Sequence, residues 1–223
     1  MSRKIVTQVQ NSKLVEERRN LIIGAAIQVF RRKGYHVATT KDVALAAGVT
    51  QSNLYNYISS KDDILYMVCE RLMGLYNGAV EAATARFTDP HEQLVESLRA
   101  IVSLMMAHRE ELVLLYNDAH SLNKDDRRLI LSMISRFIGQ FEQLIRNYET
   151  AYGATRIVNR RLGANLLSFV PAVVALRHWD LAPHLQKSDV EQEILSFLLG
   201  GLGIGAVQPA RVSMPAEEIV PAA

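Results

Sequence analysis

A chain of 223 residues with 49% hydrophobic and 22% charged residues holds enough apolar material for a real core, and more length than an average single domain. Its one cysteine, Cys69, excludes an intramolecular disulfide framework and any multi-cysteine zinc or iron–sulfur site, and fits a reducing, cytoplasmic setting. The formal net charge of +2 averages over unlike segments: residues 1–63 hold ten Lys/Arg against five Asp/Glu, whereas residues 64–223 hold fifteen against eighteen.

A basic front end on a mildly acidic body points to a polyanion-binding part joined to something else. The opening stretch MSRKIVTQVQNSK lacks the apolar run of a signal peptide. The longest apolar region, 162–176, is too short for a bilayer and contains Asn165 and Ser168. The expectation is a soluble, intracellular protein without membrane contact.

Apolar residues recur at three- and four-residue spacing, and interior Pro and Gly are sparse, so helices are predicted from end to end and no strand. The first helix is expected at 13–33, with Leu14, Leu21, Ile22, Ala25, Ala26, Val29 and Phe30 on one stripe and a stop at Gly34. Short helices follow at 40–47 and 51–57. Capping boxes at Ser60/Asp63, at Asp89/Glu92 with Pro90 in the first helical position, and at Ser188/Glu191 open helices of 61–86, 90–107 and 189–204. Between them fall 109–120, then 124–152 ending at Gly153, then 157–179 kinked at Pro171. The last eighteen residues hold three of the six prolines without periodicity and are expected to be disordered. This divides the chain into 1–60, 61–205 and a tail, 206–223.

Residues 39–61 read TTKDVALAAGVTQSNLYNYISSK. Thr39 and Asp42 form a capping box that opens a two-turn helix, which meets Ala47-Gly48, where glycine can take the left-handed conformation of a sharp turn. Thr50 caps the next helix. Ala44 allows a close crossing, and Val43, Ala47, Val49, Leu54 and Tyr57 are spaced to fill the space between the two helices. This is the pattern of a helix-turn-helix, whose second helix enters a DNA major groove. Its exposed positions would be Gln51, Ser52, Asn53, Tyr55 and Asn56, side chains able to pair with base edges or reach phosphates. Thr40, Lys41 and Lys61 stand where helix starts can grip the backbone of double-stranded DNA, and Arg3, Lys4, Lys13, Arg18 and Arg19 add salt-sensitive attraction. On spacing alone the alternative is a helical protein–protein adaptor whose glycine turn is incidental.

The stretch KGYHVATTKDVALAAGVTQSNLYNYISSKDDIL resembles the DNA-binding domain of the TetR family of bacterial transcriptional regulators, at Gly34-Tyr35, Thr39-Thr40, Val43-Ala44, Ala47-Gly48-Val49, Leu54-Tyr55, Tyr57 and Ser60-Lys61. Ile58 departs from the family's frequent aromatic, and Ser52 from its common Gly or Pro. The resemblance implies an all-α homodimer: a three-helix DNA-binding domain with the helix-turn-helix, and a C-terminal helical domain that binds ligand and dimerises. It also implies a repressor released from a palindromic operator by a small molecule. Thr40, Lys41, Gln51, Ser52, Asn53, Tyr55, Asn56 and Lys61 are the DNA-contacting residues it implies.

For dimerisation the apolar Leu162, Leu166, Phe169, Val173, Leu176, Ile194, Leu198 and Leu202, with Gly200, Gly201 and Gly203, are expected to form a seam. For a hydrophobic effector the middle helices offer Met105, Leu112, Tyr116, Met133, Phe137, Phe141 and Phe169, with Arg177 for a phosphate or carboxylate. The segments LRHWDL and LLYNDAHSL are similar to family members that respond to acyl-CoA. No cofactor or metal is expected. No Glu-x-x-His, P-loop or Gly-x-Ser-x-Gly occurs, and the six histidines are scattered, so no catalytic residue presents itself.

Overall fold

The computed structural model describes residues 12–205, and every regular element among them is helical. The expected tail, Arg3 and Lys4 lie outside the described residues. Helix α1 (Ser12–Lys33) buries Ile22, Ala25, Ala26, Val29 and Phe30 as its stripe requires, and ends at Gly34 with φ 77. Leu14 and Leu21, expected on that stripe, are exposed; Val15, Ile23 and Ile27 are buried instead, because α1 packs against α2 on one side and α4 on the other.

Helices α2 (Thr40–Ala46) and α3 (Gln51–Tyr55) follow the expected signals. Thr39 accepts the Asp42 amide while the Asp42 carboxylate accepts the Thr39 amide, closing the capping box. Gly48 has φ 66, a conformation that costs an L side chain about 1–2 kcal/mol, and lets the Val49 amide turn back to the Ala44 carbonyl. Thr50 accepts the Asn53 amide and starts α3. Helix α3 stops at Tyr55 rather than residue 57, since the Asn56 and Tyr57 amides tighten onto the carbonyls of Asn53 and Leu54. Val43, Ala44, Ala47, Leu54 and Tyr57 are buried between the helices.

The Ser60/Asp63 box opens α4 (Lys61–Arg86), which at 26 residues spans about 39 Å and belongs to both parts of the molecule. It lies against α5 (Pro90–Ala107), α6 (Arg109–Asp118) and α7 (Lys124–Tyr152). Asp89 caps α5 by accepting the Glu92 amide, with Pro90 in the first turn. Buried Asn77 of α4 donates to the Met73 carbonyl, and Gln140 of α7 donates to the Asn77 carbonyl, so the two helices are also tied by polar contacts.

The C-terminal third departs most from the expected elements. Helix α8 (Arg160–Phe169) begins at the Asn159 cap, and Gly163 is required there because Ile157 folds over it: a Cβ would stand 2.7 Å from Ile157 Cγ2. The expected kink at Pro171 is a full break. Its missing N–H and its ring tighten Val170–Ala172 into a 3-10 turn, followed by two single turns, α9 (Val173–Leu176) and α10 (His178–Leu181). Helix α11 (Lys187–Leu202) starts one residue before the expected Ser188 cap; Gln186 holds the cap position with no side-chain bond, while Ser188 donates to its neighbour Asp189. Gly203 is no point of close helix approach: it is the left-handed cap of α11, lying over Arg156. Among the described residues no helix is long and apolar enough to cross a membrane.

Candidate nucleic-acid interface and internal cavity

The sequence-predicted contact residues gather on one face formed by the start of α2 and the length of α3. Lys41, Gln51, Ser52, Asn53 and Tyr55 are exposed there, with Thr40 and Asn56 half-buried. Gln51 Nε2 donates to Thr40 Oγ1 at 3.4 Å, and Thr40 Oγ1 lies 3.1 Å from Tyr55 Oη, so one chain of hydroxyl and amide groups ties the two helix starts together. Gln51 retains its carbonyl oxygen and a second N–H, the pair that a bidentate contact to adenine needs. Beneath this face, Lys33 of α1 pairs with Asp42 at 2.7 Å. The Lys33 ammonium, aided by the Thr39 amide and hydroxyl, holds the Asp42 carboxyl at about 2.

Lys61 differs from its expected role as a backbone grip. Its ammonium donates to the carbonyls of Tyr35 (2.9 Å), His36 (3.1 Å) and Ala38 (3.0 Å), and sits 4.5 Å over the Tyr35 ring. All three N–H groups are thereby engaged within the chain, because the turn between α1 and α2 presents its carbonyls to the start of α4. The same turn is held by Tyr35 Oη, which donates to Asp62 at 2.6 Å. Burial first, then that hydrogen bond to a carboxylate, push the Tyr35 hydroxyl pKa up. Replacing the ammonium by a methyl thioether in Lys61→Met leaves three carbonyls without a charged donor, and the expected loss is about 2 kcal/mol. For a chain of this size that lowers Tm by about 4–8 °C in a thermal melt; an unchanged Tm at equal protein concentration would show that the three bonds stabilise nothing.

A cavity of about 400 Å³ lies in the body between α4, α5, α6, α7 and α8. Met105, Leu112, Tyr116, Phe137 and Phe169, five of the sequence-predicted ligand residues, line it. The Tyr116 and Phe169 rings meet edge to face at its mouth, centroids 5.5 Å apart. The other three are placed elsewhere. Phe141 is 0% exposed and packs edge-on against Phe137 inside the core, one helical turn beyond the cavity wall. Met133 is half-buried against the core, off the lining. Arg177 is exposed at the break between α9 and α10, where the chain turns outward. Sequence reasoning missed Met73 and Tyr76 of α4, His120, Arg127 of α7, and Asn165 and Ser168 of α8, all of which line the cavity. Periodicity marks Met73 and Tyr76 as apolar-face residues, but nothing local distinguishes a wall that meets a void from one that meets another helix.

The quoted segments 114–122 and 176–181 approach one another: Leu114, Asn117, Asp118, His178 and Trp179 all border a second, more open cleft of about 720 Å³ between α1, the turn after it, α6 and α10. The Arg31–Glu110 pair at 2.7 Å joins α1 to α6 along this cleft. Among the described residues no group of three His, Cys, Asp or Glu side chains is placed to hold a metal ion.

Residues 22–66 match the family described as bacterial regulatory proteins, tetR family. Over nearly its whole length the chain is similar to the HTH-type transcriptional regulator HbdR of Aromatoleum sp. (strain CIB), with 31% identity over 214 residues that cover 95% of this chain and 93% of that one. Among solved structures, a bacterial regulatory protein in the tetR family from Rhodococcus RHA1 superposes with a TM-score of 0.76 at 19% identity, covering 86% of this chain and 99% of that one. AibR, solved in complex with isovaleryl coenzyme A and operator DNA, superposes with a TM-score of 0.70 at 18% identity, covering 81% and 97%. A helix-turn-helix held on the end of an all-helical body, matched by these relatives, is that of a DNA-binding transcriptional regulator, and the chain belongs to the TetR family.

Proposed function

We infer that this regulator is a homodimeric repressor that leaves a palindromic operator when a hydrophobic small molecule of the acyl-CoA kind enters the internal cavity. The observation that carries the reading is the reach of α4. At its first residue, Lys61 holds the turn that leads into α2; three to four turns later, Met73 and Tyr76 form part of the cavity wall. A ligand that shifts α4 therefore moves the attachment of the DNA-binding helices, and its differential affinity for the two arrangements sets how far the population moves. Two recognition helices reading successive major grooves must stand about 34 Å apart, so a small change in their separation releases DNA.

Exposed apolar groups on α8 and α11 support the dimer. Leu162, Leu166 and Phe169 on α8 are exposed, as is Phe197 on α11, while among the described residues nothing stands within 4 Å of where a side chain on Gly200 or Gly201 would begin, which suits close approach of a second copy. Leu198 and Leu202, expected in the same seam, are buried within their own chain. On the DNA face, Gln51, Ser52, Asn53 and Tyr55 read bases and Thr40, Lys41 and Asn56 position the backbone, whereas Lys61 acts by holding the turn. The acyl-CoA assignment is supported by AibR, a protein of the same fold solved with isovaleryl coenzyme A.

The test is a gel-shift titration against the promoter DNA beside the protein's own gene, at two salt concentrations, with and without long-chain acyl-CoA. Specific, salt-sensitive binding released by acyl-CoA is the expected result. Specific binding that no acyl-CoA releases would remove the effector, and tightening by acyl-CoA would reverse the direction of control.

A further inference from the structure

The internal cavity is chemically lopsided. Among the described residues no Asp or Glu lines it, yet one guanidinium, Arg127, and one imidazole, His120, do. Elsewhere on α7, Arg128, Arg136 and Arg146 each pair with a carboxylate. Arg127 makes no such pair among the described residues, and it is the arginine of that helix that meets the cavity. The Arg127 and His120 side chains are both exposed, so they stand where the apolar chamber meets solvent, and a guanidinium with no carboxylate paired to it there can meet the charged end of a ligand whose apolar part lies inside.

Position sharpens the chemistry. Arg127 and His120 stand where α6 gives way to α7, next to Tyr116, and farther along α7 the lining becomes Ile130, Ile134, Phe137 and Ile138. From Arg127 to Ile138 the helix advances about 16 Å, a span suited to a medium-length acyl chain. We propose that the cavity takes an amphipathic anion, its negatively charged head held by Arg127 and His120 and its apolar chain laid along α7. This rests on the reading of the cavity as the effector site and adds the head group that the site selects. A carboxylate and a phosphate both match the guanidinium fork, so a free fatty acid and an acyl-CoA are the two sources of that chemistry.

Titration calorimetry on the full chain, without DNA, with decanoate, decanoyl-CoA and 1-decanol separates the possibilities. Wild type is expected to bind at least one of the two anions about tenfold or more tighter than the alcohol. Arg127→Gln is expected to erase that gap while leaving decanol unchanged, and Arg127→Lys, which keeps the charge but not the fork, to keep part of it. Tighter binding of decanoyl-CoA than of decanoate identifies the thioester as the source, and the reverse order the free acid. Decanol binding as tightly as both anions, equal weakening of all three by Arg127→Gln, or binding of none would overturn the proposal. Because DNA is absent, an Arg127-dependent preference for anions stands even where acyl-CoA fails to release the operator; that pairing of results would sink the release mechanism alone.

Discussion

Phe141→Ala is expected to cost about 3–5 kcal/mol of unfolding free energy, the range for deleting a fully buried aromatic ring. The ring is 0% exposed and meets Phe137 edge to face at a centroid distance of 5.3 Å, so its removal leaves a void that α4, α5 and α7 cannot close without moving. Phe169→Ala makes the informative contrast. Within one subunit that ring is 52% exposed and meets Tyr116 at the cavity mouth, so about 1 kcal/mol or less is expected from the subunit's own packing, and a larger loss that shrinks as protein concentration rises would report its burial against a second copy. Urea unfolding of the two variants at one fixed protein concentration, with unchanged slope, reads the difference directly. Equal destabilisation would mean that Phe141 is not a core residue or that Phe169 is more deeply packed than its exposure indicates. Ligand binding is expected to follow the opposite order, weakened by Phe169→Ala and spared by Phe141→Ala under conditions where that variant remains folded.

These two phenylalanines show where sequence reading stops. Both lie on apolar helical faces, and periodicity places each toward the interior, but which interior surface meets a void is decided by how five helices pack. The helix starts at Thr40, Gln51, Lys61 and Pro90 are legible because each depends on the residue just before it, whose side chain accepts the amide three residues farther on. The turn at Gly48 was legible for the same reason: a left-handed residue is a local demand that one amino acid meets best. The region after residue 157 was less so. Its start at Asn159 and its break at Pro171 depend on Ile157 folding over Gly163 and on how far a proline kink develops into a 3-10 turn, neither of which a single periodic stripe encodes. Lys61 and Arg127 show the same limit at single charged residues. A lysine at a helix start suggested a phosphate grip, yet its acceptors are carbonyls more than twenty residues earlier in the chain. Arg127 is not singled out by the sequence, because nothing in the Asp-Asp-Arg-Arg run tells which arginine borders the cavity and which, like Arg128, pairs with Asp125.

Two substitutions on the five-residue α3 are expected to impair operator recognition by different routes. Leu54 is 0% exposed and is the buried residue of α3, which packs on α2, so Leu54→Ala removes the side chain that seats the recognition helix. A buried Leu→Ala change costs about 2–5 kcal/mol, and a helix this short has no intrinsic stability to offset it. The expected result is loss of operator and non-specific DNA binding together, with faster amide exchange across α2 and α3 and little change in the body. Gln51→Ala leaves the hydrophobic seat intact and takes away an exposed side chain positioned by Thr40. Losing one bidentate base contact costs about 1–3 kcal/mol of discrimination, so operator affinity should fall roughly 5- to 150-fold while non-specific affinity and its salt slope stay unchanged. Thr40→Val, which removes the hydroxyl that orients both Gln51 and Tyr55, should fall between wild type and Gln51→Ala on operator DNA. Anisotropy titrations on operator and scrambled duplexes separate these outcomes: if Gln51→Ala weakens both duplexes equally, Gln51 contacts phosphate rather than a base, and if Leu54→Ala leaves operator binding intact, α3 is not the helix that reads DNA.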